Sequence, residues 1–170
     1  MNKSKFVIAV YVENKYGVLT RVTSMFTRRG FNIDSLTVGE TEDPNYSRIT
    51  ISLSGTNSEL QQLVSQLKKL YNVRKVEVIS AESGIRRELL LIKIRSTSET
   101  RREIREVTEV FRAKIIDYSA EAMCIEITGD TNKIDAFIDN MKPFGIIEMC
   151  RTGIVAIERG AGSLVNGKEG

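Results

Sequence analysis

Ile51-Ser52-Leu53-Ser54-Gly55-Thr56-Asn57-Ser58-Glu59-Leu60 decides the fold, because its pattern returns as Ile125-Glu126-Ile127-Thr128-Gly129-Asp130-Thr131-Asn132-Lys133-Ile134. In both stretches apolar residues alternate up to a glycine, a helix-capping residue follows, and an apolar period of helical spacing begins. The match continues at constant offset: Leu63, Val64, Leu67, Leu70 and Val73 recur as Phe137, Ile138, Met141, Phe144 and Ile147. A strand, a turn and a helix face kept in register mark two copies of one supersecondary unit.

The elements on either side complete each copy. Phe6, Ile8, Val10 and Val12 alternate with Val7, Ala9, Tyr11 and Glu13, so residues 5–13 form a strand. Its second face is more apolar than solvent requires, which fits a packed assembly. Val18, Leu19, Val22, Met25 and Phe26 follow at helical spacing, Arg28-Arg29 complement the negative end of the dipole, and Gly30 supplies a left-handed stop. Residues 31–40 and 46–54 read as a hairpin across Glu42-Asp43-Pro44-Asn45, Thr56 to Glu59 is a capping box, and residues 73–79 are a fourth strand. After the polar linker Ala81-Glu82-Ser83-Gly84, Leu90, Ile92 and Ile94 begin the second copy, and Ile104, Val107 and Phe111 mark its first helix. A tighter hairpin over 114–119 and 122–128 precedes a helix capped by Asp130 and limited by Pro143. The expected class is α+β: two tandem ferredoxin-like βαββαβ modules, over 1–81 and 82–160, each small enough that pairing with another module is expected. Residues 161–170, rich in glycine and small polar residues, lack periodicity and are expected to be disordered.

Composition narrows the chemistry. The 170 residues carry 25 Lys and Arg against 22 Asp and Glu, a net charge of +3 with the signs interleaved, which describes a solvated surface and not a nucleic-acid stripe. RNA-recognition modules share this strand order but present stacking aromatics on their central strands, and Tyr46 to Ser54 holds no interior aromatic. Arg101, Arg102 and Arg105 alternate with Glu99, Glu103, Glu106 and Glu109 as a helix surface would. There is no apolar leader and no run long enough to span a bilayer, so a cytoplasmic protein with no membrane partner is expected. Cys124 and Cys150 lack metal-ligand spacing and are expected as free core thiols. The chain contains no histidine, no nucleophile with a matching base and no metal-loop spacing, so no catalytic or metal site is expected.

One turn has the chemistry of a binding site. Asn14-Lys15-Tyr16-Gly17-Val18-Leu19 joins strand to helix, where Gly17 lets another molecule approach the backbone and the first helical turn offers unpaired N–H groups to a carboxylate. Asn14 adds side-chain donors and an acceptor. The same residues also suit an ordinary turn, and spacing leaves both readings open. Asn32 can reach a neighbouring module's turn if two modules pack side by side.

That turn, together with Arg29-Gly30-Phe31-Asn32-Ile33-Asp34-Ser35-Leu36-Thr37-Val38 and Ser47-Arg48-Ile49-Thr50-Ile51, resembles the regulatory small subunit of acetolactate synthase. Glu109-Val110-Phe111-Arg112-Ala113-Lys114-Ile115-Ile116-Asp117 and Gly145 to Gly153 resemble later motifs of the same family. The resemblance implies that the first module is an ACT domain that forms a homodimer through its twin in a second chain. It implies a branched-chain amino acid, usually valine, at the interface: Asn14, Gly17, Val18 and Leu19 would hold it from one chain, and Asn32 and Ile33 from the other. It further implies activation and feedback inhibition of a separate catalytic large subunit. Thiamine diphosphate, Mg and FAD are expected on that subunit and no cofactor in this chain. Tyr16 replaces the proline that many ACT domains outside this family carry, which leaves the turn less rigid. The choice among valine, leucine and isoleucine rests on pocket walls. The rivals are an ACT-type amino-acid sensor for another enzyme and an RNA-binding module.

Overall fold

A computed structural model of the chain describes residues 4–165, which divide into two compact units. The first holds β1 (Ser4–Glu13), α1 (Val18–Arg28), β2 (Ile33–Glu40), β3 (Tyr46–Gly55), α2 (Asn57–Leu67) and β4 (Val73–Val78). The second, Arg86–Gly153, takes in most of β5 (Ile85–Arg95), then α3 (Arg101–Val110), β6 (Lys114–Tyr118), β7 (Ala122–Gly129), α4 (Thr131–Met141) and β8 (Ile146–Arg151). Strand order is β2-β3-β1-β4 in the first sheet and β6-β7-β5-β8 along the main path of the second, with these neighbours antiparallel. The α+β class and the repeated ferredoxin-like arrangement are therefore present.

Each core follows from the alternation. Ile8, Val10 and Val12 of β1 join Ile49, Ile51 and Leu53 of β3 beneath Val22 and Phe26 of α1 and Leu60, Leu63 and Leu67 of α2. At the repeated positions, Ile92 and Ile94 of β5 and Ile125 and Ile127 of β7 lie beneath Ile104 of α3 and Ile134, Phe137 and Met141 of α4. Burial of this kind stabilises by about 25 cal/mol per Å² of apolar surface. Gly30 takes the expected left-handed conformation, with φ 72°, just beyond α1.

From Ile154, within the stretch expected for the second module, the chain packs with the first unit, where Val155–Ile157 form β9. The structure corrects two expectations. Of the tail expected to be disordered, residues 161–165 are placed and Leu164 is buried, while residues 166–170 lie outside the described residues. The returning residues Ala156 and Leu164 pack on Val7, Ala9, Tyr11 and Ile79, so the apolar second face of β1 is covered by this chain's own C-terminal segment. Sequence patterning registered that the face needed a cover, but a short irregular segment carries no period by which to identify it. Finally, Cys124 and Cys150 are free but are not core thiols: the first is half-buried and the second exposed. Met123, Ile125 and Ile127 take the helix-facing positions of β7, and Cys150 pairs with Leu91, which faces away from the helices.

Both second helices are capped as their sequences require. In α2 the Thr56 hydroxyl accepts from Glu59 N at 3.3 Å while the Glu59 carboxylate accepts from Thr56 N at 2.7 Å, and Asp130 accepts from Lys133 N at 2.8 Å at the start of α4. Thr56→Ala should lower the unfolding free energy by about 1 kcal/mol in urea titrations.

Candidate functional site

The turn between β1 and α1 is held from both sides. Glu13, the last residue of β1, is buried although charged, and its backbone N–H donates to Asn72 O at 3.0 Å. Its carboxylate receives Lys15 Nζ at 2.9 Å, Asn72 Nδ2 at 2.9 Å and the Arg74 guanidinium. Arg21 of α1 closes the ring by donating to Asn72 Oδ1 at 3.2 Å. On the other side Asn14 N donates to Asn45 O at 2.7 Å, and Asn14 Nδ2 donates to Glu40 Oε1 at 3.1 Å and to Pro44 O at 3.0 Å. One residue is thus tied to the start of β4 and the next to the β2–β3 hairpin.

Between these ties the backbone turns at Gly17, with φ 79°, a conformation that L side chains adopt at a cost. Gly17 is the N-cap of α1 and has no side chain with which to cap it, and the first turn carries no acidic residue. Val18 N donates to Lys15 O at 3.4 Å, and no side chain caps the positive end of the helix dipole, a setting that suits an anion. Val18 is buried and anchors the helix in the core, Leu19 is 40% exposed beside the turn, and Tyr16 projects fully into solvent.

Asn32 and Ile33 lie elsewhere. Glu13 pairs with Tyr46 across β3, whereas Ile33 pairs with Leu53, seven residues along the same strand. At roughly 3.3 Å per residue this places the two sets about 23 Å apart, at opposite ends of the sheet. Within one chain the six expected residues do not meet. Asn32 is exposed, and Ile33 is half-buried against the first core. Among the described residues β2 pairs with β3 alone, so it is an edge strand.

Glu13, Glu40, Asn72 and Arg74 shape the turn and were not singled out from sequence. A charged residue ending an otherwise apolar strand was the available signal for Glu13. Its partners, 59 and 61 positions away, become neighbours only through the β1–β4 pairing. Among the described residues no group of three or more His, Cys, Asp or Glu is placed to hold a metal ion. No described helix is long and apolar enough to cross a membrane.

The hydrogen bond from Lys15, then that from Asn72 and the nearby Arg74 charge, outweigh the cost of burial and hold the Glu13 carboxyl at about 2, against 4.5 without them. A carboxyl depressed in the folded state stabilises fully above its unfolded pKa and loses that contribution as pH falls through its folded pKa. Glu13→Gln should therefore be less stable than wild type at pH 7, with the difference shrinking between about pH 4.5 and 2. Denaturant titrations over that range would measure it, and a difference constant with pH would remove the carboxylate from this role.

Comparison with known proteins agrees over nearly the whole chain. Residues 8–75 match the family model described as the small-subunit-like ACT domain of acetohydroxyacid synthase, and residues 87–160 match the model described as the small subunit of acetolactate synthase. A probable acetolactate synthase small subunit from Archaeoglobus fulgidus is 51% identical over 156 residues, covering 92% of this chain and 98% of that one. The acetolactate synthase small subunit of Bacillus subtilis is 45% identical over 158 residues, covering 92% and 91%. The crystal structure of the Thermotoga maritima acetolactate synthase small subunit superposes with a TM-score of 0.87 at 43% identity, covering 92% of this chain and 98% of that one. With two ferredoxin-like units, an ACT domain as the first, and matches of this extent along both, the chain belongs to the acetolactate synthase small-subunit family.

Proposed function

We propose that this chain is a non-catalytic regulatory subunit that binds valine, or another branched-chain amino acid, between the first units of two copies. On this reading it activates the catalytic large subunit of acetolactate synthase and makes it sensitive to feedback inhibition. Thiamine diphosphate, Mg and FAD would belong to that large subunit, where the carbon–carbon chemistry is done.

The observation that carries the reading is the placement of the candidate residues relative to the β2 edge. If two β2 strands pair antiparallel about a two-fold axis, the Ile33 end of one lies beside the Glu40 end of the other. Asn14 is hydrogen-bonded to Glu40 of its own chain. Residues 23 Å apart in one chain then become neighbours across the dyad, Asn14 and Gly17 from one copy and Asn32 and Ile33 from its twin. The amino acid's carboxylate would take the open N–H groups at Gly17 and the first turn of α1. Since Asn14 Nδ2 is engaged by Glu40 and Pro44, the side chain offers its oxygen, which suits the ammonium group. The site exists only in the pair, so effector binding and dimer geometry are linked.

Two experiments test this. Gly17→Asp places a carboxylate where the effector's own should sit and strains a left-handed position. Valine affinity by calorimetry should fall at least tenfold, about 1.4 kcal/mol, while the fold persists. Asn14→Ala and Asn32→Ala should each relieve valine inhibition of the reconstituted holoenzyme yet keep its activation, consistent with a coupling of about 1–3 kcal/mol. Mixing the two variants should regenerate one intact composite site in some dimers and restore part of the binding. No restoration despite demonstrated subunit exchange would reject the shared site.

A further inference from the structure

The C-terminal segment that covers the first sheet is attached at the strand that the proposed effector site uses. Ile154 makes two hydrogen bonds to β2: its N–H donates to Ser35 Oγ at 3.3 Å and its carbonyl accepts from Thr37 Oγ1 at 3.3 Å. Beyond it, Ala156 O accepts from the Arg48 guanidinium on β3, the Glu158 carboxylate accepts from Ser80 N at 2.7 Å and Ser83 Oγ at 2.9 Å, and Ser163 O accepts from Lys75 Nζ at 3.2 Å. The segment therefore crosses the sheet from its β2 edge to its β4 edge, sealed by Ala156 and Leu164.

The seal has opposing contributions. Docking buries Ala156 and Leu164, but it also desolvates Arg48, whose Nε is buried with no hydrogen-bond acceptor and whose charge is favoured only at a distance by Glu77 and Glu42. Burial accordingly pulls the Arg48 pKa down. Releasing the segment would return the guanidinium to water but would expose Ala156, Leu164 and the sheet residues Val7, Ala9, Tyr11 and Ile79, so the buried charge offsets only part of the seal. Gly153, immediately before Ile154, turns the chain with φ 83°, a conformation that favours glycine.

We propose that residues 154–165 are a strap that reports the state of β2: effector bound at the β2 edge tightens the Ile154 attachment, and this transmits inhibition along the chain. The inference rests on the proposed effector site and names how that site is read. A displacement of β2 must either carry Ile154 with it or break two hydrogen bonds, whereas helices α1 and α2 contact the opposite face of the sheet. The strap is thus bonded to β2 at Ile154 and joined, through Gly153, to the end of β8.

Hydrogen exchange and activity measured on the full holoenzyme test the proposal. In wild type, saturating valine should slow exchange of the amides of residues 154–157 at least threefold. The double variant Ser35→Ala with Thr37→Val removes both β2 hydroxyls that hold Ile154, together with the Ser35–Ser52 contact, and none of the proposed effector contacts. It should keep its valine Kd within about threefold of wild type and its activation of the large subunit, speed exchange at Ile154 at least tenfold, and lose at least half of the inhibition at saturating valine. Leu164→Asp, which puts a charge into the docked segment far from β2, should also weaken inhibition and guards against misfolding of the double variant. Full inhibition in variants with demonstrably faster strap exchange would overturn the strap alone. A wild type that neither binds valine nor responds to it would overturn the effector site, and the strap proposal with it.

Discussion

β1 cannot face water on either side. Val7, Ile8, Ala9, Val10 and Val12 are at most 2% exposed, so both faces of this central strand are covered, one by two helices and the other by the strap. Antiparallel sheets commonly leave one face solvated, and a ferredoxin-like unit has helices on one side only. The second face therefore imposes a requirement that the βαββαβ unit cannot meet by itself. Residues 154–165 meet it, and the first unit is consequently assembled from two separated stretches of chain.

The same strand sets the candidate site. Its last residue, Glu13, is drawn into the structure by continuation of the strand, and a buried carboxylate is tolerated only with donors around it. Lys15, Asn72 and Arg74 supply them, and in doing so fix the turn that begins one residue later. Gly17 then reverses the chain with a positive φ and opens α1 without a capping side chain. In α2 and α4, by contrast, Thr56 and Asp130 cap the helix from within the chain. The first helix of each unit, α1 at Gly17 and α3 at Thr100, instead opens without a side-chain cap hydrogen bond, and at Gly17 the N-cap residue has no side chain to supply one.

The two units diverge in what their outer faces carry. In the first, β1 presents Val7, Ala9 and Tyr11 outward, and Tyr11 stacks on Tyr46 with ring centroids 4.7 Å apart beneath the strap. In the second, the outer positions of β5 and β7 include Lys93 and Glu126, and Lys93 pairs with Glu148 of β8 at 3.2 Å. Repetition of the inner face preserves the fold, while the outer face and the strand-to-helix turn are where the copies differ.

Sequence alone determined the elements, their order and the inner cores, because alternation and helical period are local and the repeat states them twice. It also marked the turn at Asn14 to Leu19 and the excess of apolar residues on the second face of β1. Tertiary structure decided what no local period encodes. The cover of that face comes from residues about 150 positions later in the chain. Two of the three donors around Glu13, Asn72 and Arg74, come from the start of β4, and Asn14 and Asn32 fall at opposite ends of one sheet. These are consequences of strand pairing between distant segments, and pairing partners are chosen by burial over the whole unit, which no window along the chain contains.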